Sequence, residues 1–476
     1  MRSVDERPVA EGGGGWDARP MLAADRGGFI DRHGLWSQEQ YAAAGQMRRV
    51  IDEVGLELVR FSFADQHGVL HGKTLTRASV PAAMRNGLTA PSSLLLKDSS
   101  GRSVLPVFTA DAEAGFAGAG DVVLVPDPAS FRVLPWAPNT GWVLCDLRFP
   151  DGSPVPYCTR SMLRSQLSRL GEAGYDMTVG VELEFHVFSS SAQNEGGQLL
   201  HEEGLDRVDD VVQFLQRGLQ RLDLPLRSIE LEFGADQLEI TLEAGAAAQA
   251  ADHVTLVRSA IRQLCRRNGY HATFMSRPAG AATASTGWHL HQSLRDRVTG
   301  RAAFEPGPDE TLMSSTARHW LGGLLAHAPA AAAFTTPTVN GYKRYLPYSL
   351  APDRVLWGAD NKGAMVRVVS GRLENRSGEP AANPYLYIAS QVVSGLDGLA
   401  GGLDPGPPTE SPYATDAVRL PQSLGAAIDA LAADPVFADA FGERVVSWYS
   451  RIKREEFARY LAHVSDWEQR EYFELF

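Results

Sequence analysis

The sequence predicts an α+β chain divided between two domains, and three observations carry the prediction. Residues 179–188, 229–242 and 288–294 alternate polar and apolar side chains with period 2, as half-buried strands do. Stretches with helical spacing separate and follow them, at 159–173, 206–222, 246–268, 310–333, 383–399 and beyond 422. The 476 residues exceed what one ordinary core organises, and a proline-rich connector at 126–138 offers a place to divide them.

Taken in order, residues 1–35 carry Gly12 to Gly15 and scattered charges without the apolar run of a signal peptide, and are expected to form a flexible arm. Residues 38–54 read as a helix. Strands at 56–63 and 69–75 flank the turn Asp65-Gln66-His67-Gly68, which predicts a hairpin, and 121–125 reads as another strand. The first domain is expected over 36–140 and the second over 141–476. In the second, Thr159 suits a helix N-cap, and Asn268-Gly269 stops the helix that begins at 246. Residues 335–352 are turn-prone, 356–370 hold short strands, 403–413 form a loop, and helices at 422–433, 435–448 and from 452 close the chain.

A hydrophobic fraction of 44% and a charged fraction of 21% are those of a soluble globular protein. The net charge of −12 argues against nonspecific nucleic-acid binding. No apolar run approaches the roughly 18 residues that span a bilayer. Cys145, Cys158 and Cys265 show neither metal spacing nor a disulfide framework, which fits a reducing cytoplasm.

Chemistry concentrates on the three alternating segments. The first puts Glu182, Glu184 and His186 on the face opposite Val181, Leu183 and Phe185. The second offers Glu230, Glu232 and Glu239, and the third sets His289, His291 and Ser293 opposite Trp288, Leu290 and Gln292. One Glu-x-Glu is ordinarily the wet side of an edge strand; three such segments bearing on one cleft outweigh that reading. Converging carboxylates repel unless protonated or neutralised by a cation. Mostly oxygen donors with one nitrogen suit Mg2+ or Mn2+ better than Zn2+.

From about residue 56 to the end, the chain resembles the glutamine synthetase family. The resemblance is carried by Glu182-Leu183-Glu184-Phe185, by Glu232-Phe233-Gly234-Ala235-Asp236-Gln237-Leu238-Glu239, and by Ala272-Thr273-Phe274-Met275 and His289-Leu290-His291-Gln292-Ser293-Leu294. Pro337-Thr338-Val339-Asn340-Gly341-Tyr342-Lys343-Arg344, residues 361–367 and Asn383-Pro384-Tyr385-Leu386 extend it. It implies an N-terminal β-grasp domain, a large catalytic domain with antiparallel strands, and a homo-oligomer, usually a dodecamer of two hexameric rings with sites shared between neighbours. It further implies one metal ion on Glu184, Glu232 and Glu239 and a second on Glu182, His289 and Glu374, with ATP as co-substrate. By the same resemblance Arg344, Arg367 and Arg376 hold the glutamate carboxylate and the transferring phosphate, and His291 and Ser293 lie near the nucleotide. Lys362 stands where the family has an arginine, keeping the charge without the fork. Glu230 is left as a structural acid.

Two departures bear on the second substrate. Alignment puts Ala90 and Leu350 where ammonium-using members carry an aspartate and a glutamate, and Ala284 and Ser285 replace an Asn and a Gly ahead of the histidine strand. A site that binds ammonium and removes its proton wants carboxylates. An apolar amine pocket at Ala90 and Leu350 instead predicts a ligase that joins the glutamate γ-carboxylate to an alkyl or aromatic amine. The alternatives are an ordinary glutamine synthetase drawing its acids from elsewhere, such as Asp65 or Asp111, and a noncatalytic relative. The latter would be free to lose metal ligands, and all six are present.

Overall fold

The computed structural model describes residues 27–106, 108, 116–189, 198–234, 236–278, 284–346, 349–369 and 371–476. Two sheets organise them. The first contains β1 (Leu58–Ala64), β2 (Leu70–Thr76), β3 (Leu88–Pro91), β4 (Asp121–Pro126), β5 (Arg132–Val133) and β6 (Thr140–Arg148). Its order is β2-β1-β6-β4-β3, with β5 on β6, and β1 and β6 run parallel. The alternation of Val59, Phe61 and Phe63, each at most 2% exposed, gives β1 its core face. The Asp65 carboxylate closes the expected hairpin by accepting from the amides of His67 and Val69, both at 2.9 Å. Gly68 takes φ 71°, and a Cβ there would lie 2.7 Å from the Arg258 guanidinium, so the turn needs glycine twice over.

Two expected boundaries are corrected here. Strand β6 pairs with β1, β4 and β5, so a division at residue 140 would cut through the first sheet, and the break belongs beyond β6. The expected arm also ends early. Phe29–Arg32 forms a short helix whose Phe29 and Ile30 are buried, and the Phe29 amide donates to Asn86. The glycine run at 12–15 and Asp111 lie outside the described residues.

The second sheet comprises β7 (Tyr175–Ser189), β8 (Leu226–Leu231), β9 (Gln237–Ala246), β10 (Tyr270–Thr273), β11 (Trp288–Asp296), β12 (Trp357–Ala359), β13 (Val366–Val369) and β14 (Arg372–Gly378). Its order is β12-β13-β14-β11-β7-β9-β8, with β10 on β7. Within this sheet, among its described strands, only β12 and β13 pair in parallel; the other pairs are antiparallel. Val181, Leu183, Phe185, Leu238, Ile240, Trp288 and Leu290 line the covered face, each 3% exposed or less. Helices Thr159–Glu172 and Ala247–Arg267 pack on β7. Burying side chains of this size stabilises by roughly 1.5–3 kcal/mol each, which fixes the register and leaves the polar set on the opposite face.

Thr159 does not cap its helix. Cys158 holds that position without a side-chain bond, and the Thr159 hydroxyl accepts from Asn383 instead. The stretch 310–333 becomes two helices, Ser315–Ala326 and Ala328–Thr335, which meet at His327 with Pro329 in the first turn of the second. Near the C-terminus the break falls at Gly442, φ 93°, between Pro435–Phe441 and Glu443–Leu461.

The two sheets are joined by buried charge. Arg160, 6% exposed, reaches Asp127 at 2.6 Å and Asp146 at 3.2 Å on the first sheet's side, and Asp252 of helix Ala247–Arg267 at 2.6 Å. Arg164 adds contacts to Asp127 and Asp146. Burial pushes the Asp127 carboxyl up, but Arg160, Gln40 and Arg164 outweigh it and hold the group well below the carboxylate range. Arg258 crosses the same boundary by donating to the carbonyls of Gly68, Pro380 and Ala382.

Candidate active site

Strand register assembles the acids. Glu184 lies opposite Glu239 across β7 and β9, and Glu239 opposite Glu230 across β9 and β8. One strand further, Glu182 faces His289, His291 faces Glu374, and Glu374 faces Arg367. Cross-strand partners share a face. The uncovered side of the second sheet is therefore a polar floor with acids at its centre and arginines at one end.

His289 is the hub. Its Nδ1 is 3.1 Å from Glu182 and 3.7 Å from Glu374, and its Nε2 is 3.9 Å from Glu184. Glu182, His289 and Glu374 each offer a donor atom within 4.8 Å of the others, and so do Glu184, Glu239 and His289. The first trio is the set expected for the second ion. The other differs from expectation, since His289 joins Glu184 and Glu239 while Glu232 stands outside both trios, on the turn after β8. Glu232 is still near enough that its charge helps push up Glu184 and Glu239.

Electrostatics provides a fit test for cations. Burial, then Glu232, raises Glu184 to about 8. Burial, then Glu184, Glu182 and Glu232, raises Glu239 to about 10. Like charges so close in a dry site cannot all ionise alone. His289 is pushed down by burial and by Arg376, which keeps its imidazole in the neutral, ligating form. Unneutralised carboxylates around a neutral imidazole suit hard divalent cations. Glu182 is the exception: burial raises it, but hydrogen bonds from His289 and His291 hold it well below the usual range.

One end of the floor carries guanidiniums. Arg367 donates to Glu374 at 2.9 Å and, through Nε at 2.8 Å, to Asp360. Arg376 pairs with the other oxygen of Glu374, which is 1% exposed. Arg344, 2% exposed, donates to the Ser377 carbonyl at 3.1 Å, and its Nε has no partner among the described residues. Lys362 is exposed, and its charge offsets part of the upward pressure on Glu232. His291 Nε2 donates to Glu182 at 2.8 Å, and Ser293 lies half-buried two residues further along that face, opposite Thr178.

Not every expected residue joins the floor. Ala90 is packed in the core of the first sheet, 4% exposed, on edge strand β3. Leu350, 38% exposed at φ 61°, sits in the loop after Arg344, whose carbonyl accepts from Ser349. Within one chain the two occupy different elements. Asp65, the alternative acid, is occupied at 2.8 Å by His71. Glu230 accepts from Ser228 at 2.6 Å, as befits a structural acid.

Sequence reasoning missed three residues. Gln237 donates to Glu184 at 2.7 Å and to the Ser285 carbonyl, while its oxygen accepts from Gly234. Period 2 places Gln237 on the same face as Glu239, and that signal could have found it. Gly287 donates to Glu184 at 2.9 Å, and a Cβ there would lie 3.1 Å from the Arg344 guanidinium, 3.3 Å from His289 and 3.4 Å from Glu184. Asp360, at φ 47°, clamps Arg367; nothing in the local sequence announces it.

Comparison with known proteins places the chain in a family. Residues 156–472 match the family model described as glutamine synthetase, catalytic domain. A gamma-glutamylanilide synthase from Acinetobacter sp is 41% identical over 94% of this chain and 99% of its own length. A glutamine synthetase from Halobacterium salinarum is 32% identical, covering 90% and 97%. A gamma-glutamylethanolamide synthetase from Streptomyces coelicolor is 31% identical, covering 88% and 93%. Among solved structures, a GmaS/ADP complex superposes with TM-score 0.80 at 29% identity, covering 90% of this chain and 99% of that one. An apo GmaS gives 0.79 at 30%, covering 89% and 98%. Matched by that family model over residues 156–472 and by relatives up to 41% identical across most of its length, the chain belongs to the glutamine synthetase family of ATP-dependent ligases.

Proposed function

We propose that this enzyme joins the γ-carboxylate of glutamate to a substituted alkyl or aromatic amine at the expense of ATP. The observation that carries the reading is the crowding of Glu182, Glu184 and Glu239 around His289 beside three guanidiniums. Mg2+ or Mn2+ held by these acids, with Glu232 and Glu374, would neutralise them and the phosphates of ATP. The chain's own residues do the rest. Arg344, Arg367 and Arg376 bind and orient the carboxylate and the phosphoryl group, for which planar, bidentate donors are suited. The glutamate γ-oxygen takes the terminal phosphoryl group of ATP and ADP leaves. The amine nitrogen then attacks the carbonyl carbon, phosphate leaves with the bonding pair, and the nitrogen gives up a proton.

The amine is read from Ala90 and Leu350, whose side chains bring no charge to a pocket that ammonium would need charged. It is supported by a 41% identical relative named for an anilide. Edge strand β3, which carries Ala90, is available to a neighbouring subunit, and we take the assembly to be a dodecamer of two rings. Among the described residues no helix is long and apolar enough to cross a membrane, and the three cysteines are unpaired and buried, which suits the cytoplasm.

A phosphate-release assay with glutamate, ATP and Mg2+ across ammonium, ethylamine, ethanolamine and aniline tests the reading. A higher kcat/KM for a substituted amine than for ammonium is expected. Equal or better use of ammonium would make the enzyme an ordinary glutamine synthetase.

A further inference from the structure

Glu184 is held by more than its strand. Its backbone amide donates to the Gly287 carbonyl at 3.1 Å, and the Gly287 amide donates back to Oε2 at 2.9 Å. Gln237, 1% exposed at the start of β9, brings a second donor to the same atom, its Nε2 lying 2.7 Å from Oε2. The side-chain amide of Gln237 fits only one way round. Nε2 faces two acceptors, Glu184 Oε2 and the Ser285 carbonyl at 3.1 Å, while Oε1 accepts from the Gly234 amide at 2.9 Å, so exchanging the two ends would lose all three bonds.

These contacts set apart the two oxygens of one carboxylate. Each oxygen has two lone-pair sites, and both on Oε2 are taken, one by Gln237 and one by Gly287. Oε1 accepts no hydrogen bond among the described residues and faces His289 Nε2 at 3.9 Å, which leaves it as the atom Glu184 can offer beside Glu239 and His289. Turning Oε2 toward a cation as well would strand the buried amide of Gln237, and an unpaired buried donor is costly. Cations differ in what they ask of such a ligand. Ca2+ takes a carboxylate through one or both oxygens at about 2.3–2.6 Å in a flexible shell, whereas Mg2+ demands a near-octahedral shell at about 2.0–2.1 Å, in which the narrow bite of a carboxylate fills one position.

We propose that Gln237 is a positioning residue that selects the cation: by holding Oε2 it keeps Glu184 a one-oxygen ligand, and so turns the site of Glu184, Glu239 and His289 toward Mg2+ or Mn2+ and away from Ca2+. This role presupposes that the acids hold divalent cations, as proposed above. Gln237 acts through Glu184 alone. Its side chain bonds to neither Glu182, Glu374 nor His289, so the trio of those three residues is an internal control. Its backbone amide donates to the Gly234 carbonyl at 3.1 Å and its carbonyl accepts from the Glu232 amide at 3.0 Å, bonds that hold the turn and survive a change of side chain.

The proposal is tested by calorimetric titration of the full-length, chelator-stripped protein with Mg2+ and separately with Ca2+, in the absence of glutamate and ATP. Gln237→Met keeps the length of the side chain but removes its donor, which opens one lone pair of Oε2 to a cation. One class of site should then lose Mg2+ affinity by about tenfold to a hundredfold, the usual effect of removing a residue that orients a metal ligand. Ca2+ affinity at that site should hold or rise, moving the ratio of the two at least about tenfold toward Ca2+, while the other class of site keeps its ratio. Gln237→Asn, which stays polar but withdraws the amide by one methylene, should move the ratio in the same direction, so a Met variant that failed to fold would leave the test standing. Equal weakening of both cations would make Gln237 a prop of the turn and overturn the proposal, as would an unchanged ratio at both classes of site. Wild-type protein that bound neither cation would instead refute the reading of the acids as a metal site, so the two failures are told apart.

Discussion

Replacing Glu239 with glutamine should make the metal-free protein more stable while abolishing turnover. The carboxyl is buried against Glu184, Glu182 and Glu232, and its pKa rises from an ordinary 4.5 to about 10. An acid whose pKa is raised on folding binds its proton more tightly in the folded state. Stability is then lost as pH climbs from the unfolded value toward the folded one. At pH 7 the unfolded chain has released a proton that the folded chain must keep, a difference of about 2.5 pH units at about 1.4 kcal/mol each, or roughly 3 kcal/mol. Glutamine keeps the shape and removes that cost. Urea unfolding in a chelator, at one fixed protein concentration, should show Glu239→Gln up to about 3 kcal/mol more stable at pH 7, with the gap closing toward pH 4.5. Excess Mg2+ should favour the wild type, which gains more from binding the cation. A variant less stable than wild type at pH 8 in chelator, or a gap that does not change with pH, would refute the electrostatic account of the floor.

Three further outcomes are expected. Arg367→Lys loses the fork that spans Asp360 and Glu374 and should lower kcat/KM by about 2–4 kcal/mol, read by steady-state kinetics with glutamate and ATP. Gly287→Ala should keep its melting temperature within a few degrees yet raise the Mg2+ concentration needed for half-maximal activity, because the new methyl crowds Arg344, His289 and Glu184 together; unchanged metal dependence would contradict the close packing. Ala90→Asp with Leu350→Glu should shift preference toward ammonium in the amine panel, and an unaltered ranking would detach both positions from amine choice.

Where burial follows sequence period, the fold was legible. The alternation at residues 288–294 returned as the buried and half-buried alternation of β11, and the charged face of β7 was named correctly from spacing alone. Register was not legible, because which strand lies beside which depends on distant packing. For this reason period 2 could list Glu230, Glu232 and Glu239 but not foresee that Glu230 and Glu239 align with Glu184 while Glu232 falls on the turn. Resemblance supplied the trio of Glu182, His289 and Glu374, and the structure added His289 to the other trio. Glycine clearance at Gly287 and the clamp of Asp360 on Arg367 depend on contacts made only after the chain has folded. The domain boundary failed for a related reason: prolines at 126–138 mark a turn, and β6 beyond them returns to a sheet begun 80 residues earlier, a parallel pairing that leaves no local trace.

The salt-bridge junction at Arg160 limits how this architecture can be cut or rearranged. A fragment beginning where the family model begins would keep Arg160 and Asp252 but discard Asp127 and Asp146, stranding a buried guanidinium with one of its three carboxylates. Arg258 would lose the Gly68 carbonyl and Trp448 the Leu95 carbonyl in the same cut. The larger unit is therefore not a transplantable module, and the smaller is not an appendage that recombination could exchange freely.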